Sequence, residues 1–160
     1  MNFLPWYNKP LIQFLENFLN KEMDIFEYGA GYSTLYYSAK VRFVCASETK
    51  KEWFDFVNLN KRFNNIEIKL CTDLKNFYQS IENFKLNKFD IIIVDSRDRA
   101  LCAKHSLNNL KENGILILDN SERENLKTIK MEMIQKGFQE TIFYGEREDK
   151  TFSTSSVFKK

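Results

Sequence analysis

Residues 24–34 read DIFEYGAGYST, and the rest of the chain is arranged around them. Ile25, Phe26 and Tyr28 form a short apolar run with an acid, Glu27, inside it. Gly29-Ala30-Gly31 follow, and then Ser33-Thr34 open a helical pattern. A buried strand that ends in glycines and hands over to a helix N-terminus is a device for holding a ligand. Glycines let backbone approach closely, and the N–H groups of a first helical turn face outward. The acid in the strand argues against a pyrophosphate, which it would repel, and for an ammonium or a ribose hydroxyl.

Working outward, strands and helices alternate. Towards the N-terminus, Leu11, Ile12, Leu15, Phe18 and Leu19 recur at helical spacing, and Pro10 suits a first turn. Residues 1–22 thus read as a helical segment that packs on the core or covers a site, with Trp6 and Tyr7 as core or flap. Downstream, the pattern predicts a helix over 33–40 and a strand over 41–46 ending at Ser47-Glu48. A helix over 50–63 follows, with Trp53, Phe54, Val57 and Phe63 as its apolar face. A strand over 66–71 ends at Thr72-Asp73, and a helix covers 73–84. Residues 89–94, FDIIIV, form a continuous apolar run of the kind that a parallel strand covered on both faces requires. It ends at Asp95. A helix over 98–110 stops at Asn113-Gly114. The strand 115–118 ends at Asp119-Asn120, and a helix over 121–136 stops at Gly137. Strands over 138–144 and 151–158, joined by a charged turn, form an antiparallel pair. The fold class is therefore α/β: one doubly wound, mostly parallel seven-stranded sheet in a single domain over 1–160, with helices on both faces and a C-terminal antiparallel hairpin.

Composition excludes several classes of function. The 160 residues carry 24 basic and 22 acidic side chains, a net charge of only +2 with no arginine stripe, so nucleic acid is not an expected partner. No apolar run approaches the ~20 residues that span a bilayer, and no secretory leader pattern opens the chain. A cytoplasmic protein without a membrane partner is expected. Cys45, Cys71 and Cys102 lack metal spacing and read as buried, reduced thiols.

In such sheets ligands bind outside the carboxyl ends of the strands. There the chain places Glu27 with its glycine turn, Glu48, Asp73, Asp95 and Asp119-Asn120, a rim expected to be strongly negative. Residues 27–34, EYGAGYST, resemble the first motif of class I S-adenosylmethionine-dependent methyltransferases, and the resemblance runs over nearly the whole chain. It implies the seven-stranded Rossmann-like fold, S-adenosylmethionine as cofactor and a methyltransferase activity. It implies cofactor contacts from Glu27, Tyr28, Gly29, Ala30, Gly31, Ser33 and Thr34, from Glu48 at the ribose, Asp73 by the adenine and Asp95 near the methionine ammonium. Nicotinamide-binding proteins share the first glycines but continue to a third, which here is Thr34. A nicotinamide-dependent oxidoreductase is the competing enzyme class, and a catalytically silent partner subunit is the competing non-enzyme.

FDIIIVDSRDR and GILILDNSER resemble the corresponding stretches of catechol-type, metal-dependent O-methyltransferases. The resemblance implies Mg²⁺ held by Asp95, Asp119 and Asn120, and O-methylation of a small hydroxylated or saccharide-like acceptor. Asp95, Asp98 and Asp119 are the candidate catalytic acids. Those enzymes carry a lysine base where this chain has Asp98, which acts as the base or caps the next helix. Arg97 and Arg99 either pair with the surrounding acids or hold an anionic group of the acceptor. His105 lies about 10 Å down the helix leaving the site and is not expected to take part. The little material beyond the seven-strand core favours a small acceptor, a shallow site, or a site completed by a second copy in a homodimer.

Overall fold

The computed structural model describes residues 3–160; the first two residues of the expected N-terminal segment lie outside it. The elements run α1 (Lys9–Phe18), β1 (Asp24–Tyr28), α2 (Tyr32–Ser38), β2 (Phe43–Glu48), α3 (Lys51–Asn60), β3 (Ile66–Leu70), a 3₁₀ helix (Phe77–Asn83), β4 (Phe89–Val94), α4 (Arg99–Ser106), β5 (Leu110–Asp119), α5 (Lys127–Gln135), β6 (Gln139–Glu146) and β7 (Phe152–Lys159). The strands form one sheet in the order β3-β2-β1-β4-β5-β7-β6. All neighbouring pairs are parallel except those of β7, which runs antiparallel to both β5 and β6. The expected fold class holds.

The two faces of the sheet follow from the side-chain alternation of the strands. Ile25, Val44, Ile91, Ile93, Ile115, Ile117 and Val157 point to the face covered by α1 and α2, where they meet Tyr7, Leu11, Leu15 and Tyr37. Phe26, Tyr28, Ile92, Val94, Leu116 and Leu118 point to the other face, where the 3₁₀ helix, α4 and α5 supply Phe77, Ile81, Cys102, Ile129 and Met133. At about 25 cal/mol per Å², each such fully buried side chain contributes on the order of 1.5–3 kcal/mol. β1 and β4 sit at the centre and are apolar on both sides. β3 lies at the edge, and every one of its residues is half-buried.

α1 begins with Pro10 in its first turn and Asn8 as its N-cap. The Asn8 side chain does two jobs. Its oxygen accepts the Leu11 N–H at 3.0 Å, and its Nδ2 donates to the Phe143 carbonyl and to Ser155 Oγ, each at 3.1 Å. The entry to α1 is thereby fastened to β6 and β7. Among the described residues no helix is long and apolar enough to cross a membrane.

Four expected elements differ. The helix over 121–136 begins only at Lys127, after a 3₁₀ turn at Glu124–Leu126. The helix over 73–84 is a 3₁₀ helix confined to Phe77–Asn83, because Asp73 spends its carboxylate on the Lys75 N–H and the Asn76 side chain and holds that stretch in a turn. Asn113-Gly114 does not end a helix: α4 stops at Ser106, and Asn113-Gly114 lie inside β5, where the register against β4 shifts. Asn113 takes a left-handed φ of 62°, and Gly114 lies so close to the β4 backbone that a Cβ would come within 3.1 Å of the Phe89 and Asp90 carbonyls. α3 ends at Asn60, leaving Phe63 exposed instead of on its apolar face. Of the three cysteines, Cys45 and Cys102 are buried and Cys71 is half-buried, all unbridged.

Candidate active site

A cleft of about 340 Å³ opens at the carboxyl end of β1, where the chain leaves for β2 on one side and β4 lies on the other. That volume lies in the range of small-molecule sites. Gly29, Ala30, Gly31 and Ser33 form one wall, Glu48, Thr49 and Lys50 a second, and Asp95, Ser96, Arg97 and Arg99 a third; Trp6, Tyr32 and Trp53 supply aromatic surface. A wider cleft of about 600 Å³ opens around Leu110 and Gly114, at the start of β5, and has neither the glycine turn nor the strand-end acids.

The glycine turn is fixed from three directions. Gly29 has φ +93° and passes over the end of β4 so closely that a Cβ would sit 2.4 Å from the Asp95 carbonyl oxygen. Its N–H donates to the Ser47 carbonyl at 2.8 Å. The Ala30 N–H donates to Glu48 Oε2 at 2.8 Å, and the Gly31 N–H to Thr34 Oγ1 at 3.0 Å. Thr34, which stands at the third-glycine position of a nicotinamide motif, is fully buried and locks the turn instead of admitting a ligand.

The ten residues expected to hold a cofactor divide by position. Gly29, Ala30, Gly31, Ser33, Glu48 and Asp95 line the cleft, whereas Glu27, Tyr28, Thr34 and Asp73 do not. Glu27 lies beneath the turn, wholly buried, and accepts hydrogen bonds from the hydroxyls of Ser33 and Thr34. Burial pushes its pKa up to about 8; the two hydroxyls oppose the shift, and the charges of Asp95 and Glu48 add to it. It is a clamp on the first turn of α2. Tyr28 faces the opposite side of the sheet and donates its hydroxyl to the Tyr78 carbonyl. Asp73 is exposed on its own turn. Glu48 is nearly buried; its Oε1 accepts the Thr49 and Lys50 N–H groups at 2.6 and 2.7 Å, while Oε2 has Ala30.

At the β4 and β5 ends, Asp95 and Asp119 are neighbours on one face, since Val94 pairs with Leu118. Asp95 is half-buried with its Oδ1 2.8 Å from Arg99 Nη2. Burial raises its pKa against the pull of Arg99, Arg147 and Arg123. Asp119 is buried and turned towards β7, accepting from Ser155 Oγ at 2.6 Å and Arg147 Nη2 at 3.2 Å. Burial, helped by the Asp95 charge, pushes its pKa up to about 6. Asn120 stands at a left-handed φ of 51°, its Oδ1 accepting from Arg99 Nη2 at 3.1 Å and Arg123 Nη2 at 3.4 Å.

These three residues do not fit Mg²⁺. A dication would have to displace the Arg99 guanidinium, which already bridges Asp95 Oδ1 to Asn120 Oδ1, and sit among the positive charges of Arg99, Arg123 and Arg147, while Asp119 is turned to Ser155 and Arg147. Among the described residues no group of three or more His, Cys, Asp or Glu is placed to hold a metal ion. Asp98 occupies the N-cap position of α4 at φ 49°, yet its side chain makes no capping hydrogen bond and lies outside the cleft. His105 pairs with Glu82 at 2.8 Å on the far side of α4, away from the cleft.

Three contributors escaped the sequence pattern. Trp53 follows helical periodicity and reads as core, but its ring lies 3.4 Å from where a Gly31 Cβ would be and packs edge-on against Tyr32. Lys50 reads as a helix start. Arg147 sits in a charged turn whose neighbours across the sheet no local pattern reveals. Trp6 and Tyr7 split: Tyr7 is core, and Trp6, 62% exposed, is cleft wall.

No protein-family model matches the chain, and no curated protein matches it in sequence. Solved structures do match in fold. Precorrin 8w decarboxylase from Methanobacterium thermoautotrophicum superposes with a TM-score of 0.71 at 17% identity, over 94% of this chain and 87% of that one. Precorrin-6y C5,15-methyltransferase from Geobacter metallireducens gives 0.69 at 14% identity, over 94% and 86%. An O-methyltransferase from Bacillus cereus in complex with SAH gives 0.66 at 21% identity, over 86% and 74%. At these identities the likeness concerns architecture, and architecture alone does not choose a reaction. The strand order, with β7 inserted antiparallel between β5 and β6, also departs from the 3-2-1-4-5-6 order usual for dinucleotide binding. The chain has the seven-stranded Rossmann-like fold of the class I S-adenosylmethionine-dependent methyltransferases.

Proposed function

We propose that this protein is an S-adenosylmethionine-dependent methyltransferase acting on an oxygen of a small hydroxylated or saccharide-like acceptor. The observation that carries the reading is the cleft itself, in which a glycine turn locked onto the β4 backbone, a strand-end glutamate and a strand-end aspartate line one small volume. When bound, S-adenosylmethionine supplies a methyl group on a sulfonium sulfur. Gly29–Gly31 bring backbone close to it. Glu48 Oε2, with one protein donor, has lone-pair capacity left for a ribose hydroxyl. Trp6, Tyr32 and Trp53 shed water from the cleft and offer aromatic faces to a cation. Asp95, half-buried with a raised pKa, receives the proton that the acceptor hydroxyl gives up as its oxygen takes the methyl. Holding the oxygen in line is the larger share of the work.

Calorimetric titration with S-adenosylhomocysteine and with NAD tests this reading. Saturable binding of the first and none of the second is expected. The reverse would establish the oxidoreductase, and binding of neither by a chain that purifies only with another protein would establish the silent partner. A screen for S-adenosylhomocysteine release across hydroxylated metabolites and sugars then identifies the acceptor.

A further inference from the structure

Four arginines stand around the Asp95 side of the cleft. Asp95 and Asp119 are met there by Arg99, Arg123 and Arg147, all near enough to Asp95 to lower its pKa against burial, and Arg97 lines the same wall. Two of these arginines are explained by pairing. Arg147 holds Asp119, and Arg99 bridges Asp95 and Asn120. The other two are not. Arg97 is exposed on the cleft wall and, among the described residues, its guanidinium makes no hydrogen bond or ion pair. Among the described residues Arg123 has only the 3.4 Å contact to Asn120. The exposed acids next to them in sequence, Asp98 and Glu122, pair with neither among the described residues.

Arg99 adds an independent sign. Its side chain is only 10% exposed and is held by Asp95, by Asn120 and by the Ser96 carbonyl, yet its Nε is buried with no partner. A guanidinium has five N–H donors; three are taken here, two on Nη2 and one on Nη1, so the Nε–H and one Nη1–H stay unspent. A rigid guanidinium with donors to spare, beside the free guanidinium of Arg97, suits a planar or tetrahedral oxyanion. In a partly enclosed wall the attraction is also screened less than on open surface.

We propose that the acceptor carries an oxyanion, a carboxylate or a phosphate, beside the hydroxyl to be methylated, and that Arg97 and Arg99 hold that group. The proposal rests on the methyltransferase reading for the word acceptor, but the anion site stands on its own geometry. With the oxyanion against Arg97 and Arg99, a neighbouring hydroxyl falls next to Asp95, the partner of Arg99. The fixed guanidinium then does the orienting that a metal ion does in the catechol-type enzymes.

The test is calorimetric titration of the protein with inorganic phosphate and, separately, benzoate, with and without saturating S-adenosylhomocysteine. Saturable binding of at least one anion in the millimolar range is expected. Arg97→Glu should weaken it at least tenfold and Arg97→Lys less than threefold, the conservative variant keeping the charge and the fold. The phosphate and benzoate arms separate the two sources of charge. The same split should appear in turnover, with 4-hydroxybenzoate preferred to its methyl ester or a sugar phosphate to the free sugar. No anion binding up to tens of millimolar, or binding that Arg97→Glu leaves unchanged, overturns the proposal. Anion binding without any S-adenosylhomocysteine binding would instead overturn the methyltransferase reading and leave the anion site in place.

Discussion

Gly29 and the Asp95 carbonyl are in direct contact, so closely that no side chain fits between them. The glycine turn and the strand bearing the candidate base are thus set against each other by backbone. Gly29→Ala must both strain a φ of +93° and push the two apart, at a cost on the order of 2–4 kcal/mol. Urea unfolding should show that loss, and S-adenosylhomocysteine binding should disappear. Gly31→Ala is the control, because its backbone is extended and its nearest neighbour is the Trp53 ring at 3.4 Å. It should cost less than about 1 kcal/mol.

Glu27 gives the protein a pH-dependent stability of unusual sign. Its folded pKa of about 8 lies above the 4.5 of a free glutamate, so between these values the native state holds a proton that the unfolded chain has released. The stabilisation is complete below about pH 4.5 and fades as pH rises through 8, by a few kcal/mol in all. Asp119 adds the same sign between 3.8 and about 6. Urea midpoints measured from pH 5 to 9 should fall, and Glu27→Gln should flatten the part of the slope above pH 6.

Trp6 and Trp53 are the chain's two tryptophans, and both line the cleft. Intrinsic fluorescence should therefore report cofactor binding directly. Trp6→Phe and Trp53→Phe should each remove part of the change, and Trp6→Ala should weaken S-adenosylhomocysteine by roughly five- to tenfold, the worth of about 1–1.5 kcal/mol of aromatic contact. An unchanged signal in Trp6→Phe would take that residue out of the binding surface.

Because Arg99 already joins Asp95 to Asn120, turnover should be unchanged by EDTA and by added Mg²⁺. Arg99→Ala should lower kcat/KM at least a hundredfold by leaving Asp95 without its partner, and Mg²⁺ should not restore it. A tenfold loss of wild-type turnover in EDTA would return the metal to the mechanism.

The fold was legible where the chain had one dominant physical demand. FDIIIV and DIFEY are buried on both faces by position in the sheet, and their apolar runs say so. The antiparallel end follows from a short charged turn between two strands. Legibility failed where a local signal has two uses. Asn113-Gly114 serves equally to end a helix or to let a strand bulge past its neighbour, and Asp73 serves equally at a ligand or in its own turn. In the site, the glycine turn, Glu48 and Asp95 were readable from sequence. The charge of the rim was not: five strand-end acids suggest a negative edge, but Arg99, Arg123 and Arg147 come from three separate segments, and only the fold sums them with Asp95 and Asp119. Glu27 was readable as an acid near a ligand turn, but not as one that faces inward.

Asn8, two residues after Trp6, has its partners at the opposite end of the chain: Phe143 and Ser155, 135 and 147 positions away. Cutting it to alanine should cost about 2–4 kcal/mol, between a lost cap and two lost buried bonds. The connection also sets a timetable. During synthesis the glycine turn, Glu48 and Asp95 emerge well before β7, so the Asn8 side chain gains its fastening only once β7 is out and paired with β5 and β6. A ribosome-bound chain that has not yet made Ser155 carries the walls of the cleft but lacks the hydrogen bond that fastens the entry to α1. The last strand contributes no residue to the cleft, yet it fastens the start of the helix that follows Trp6.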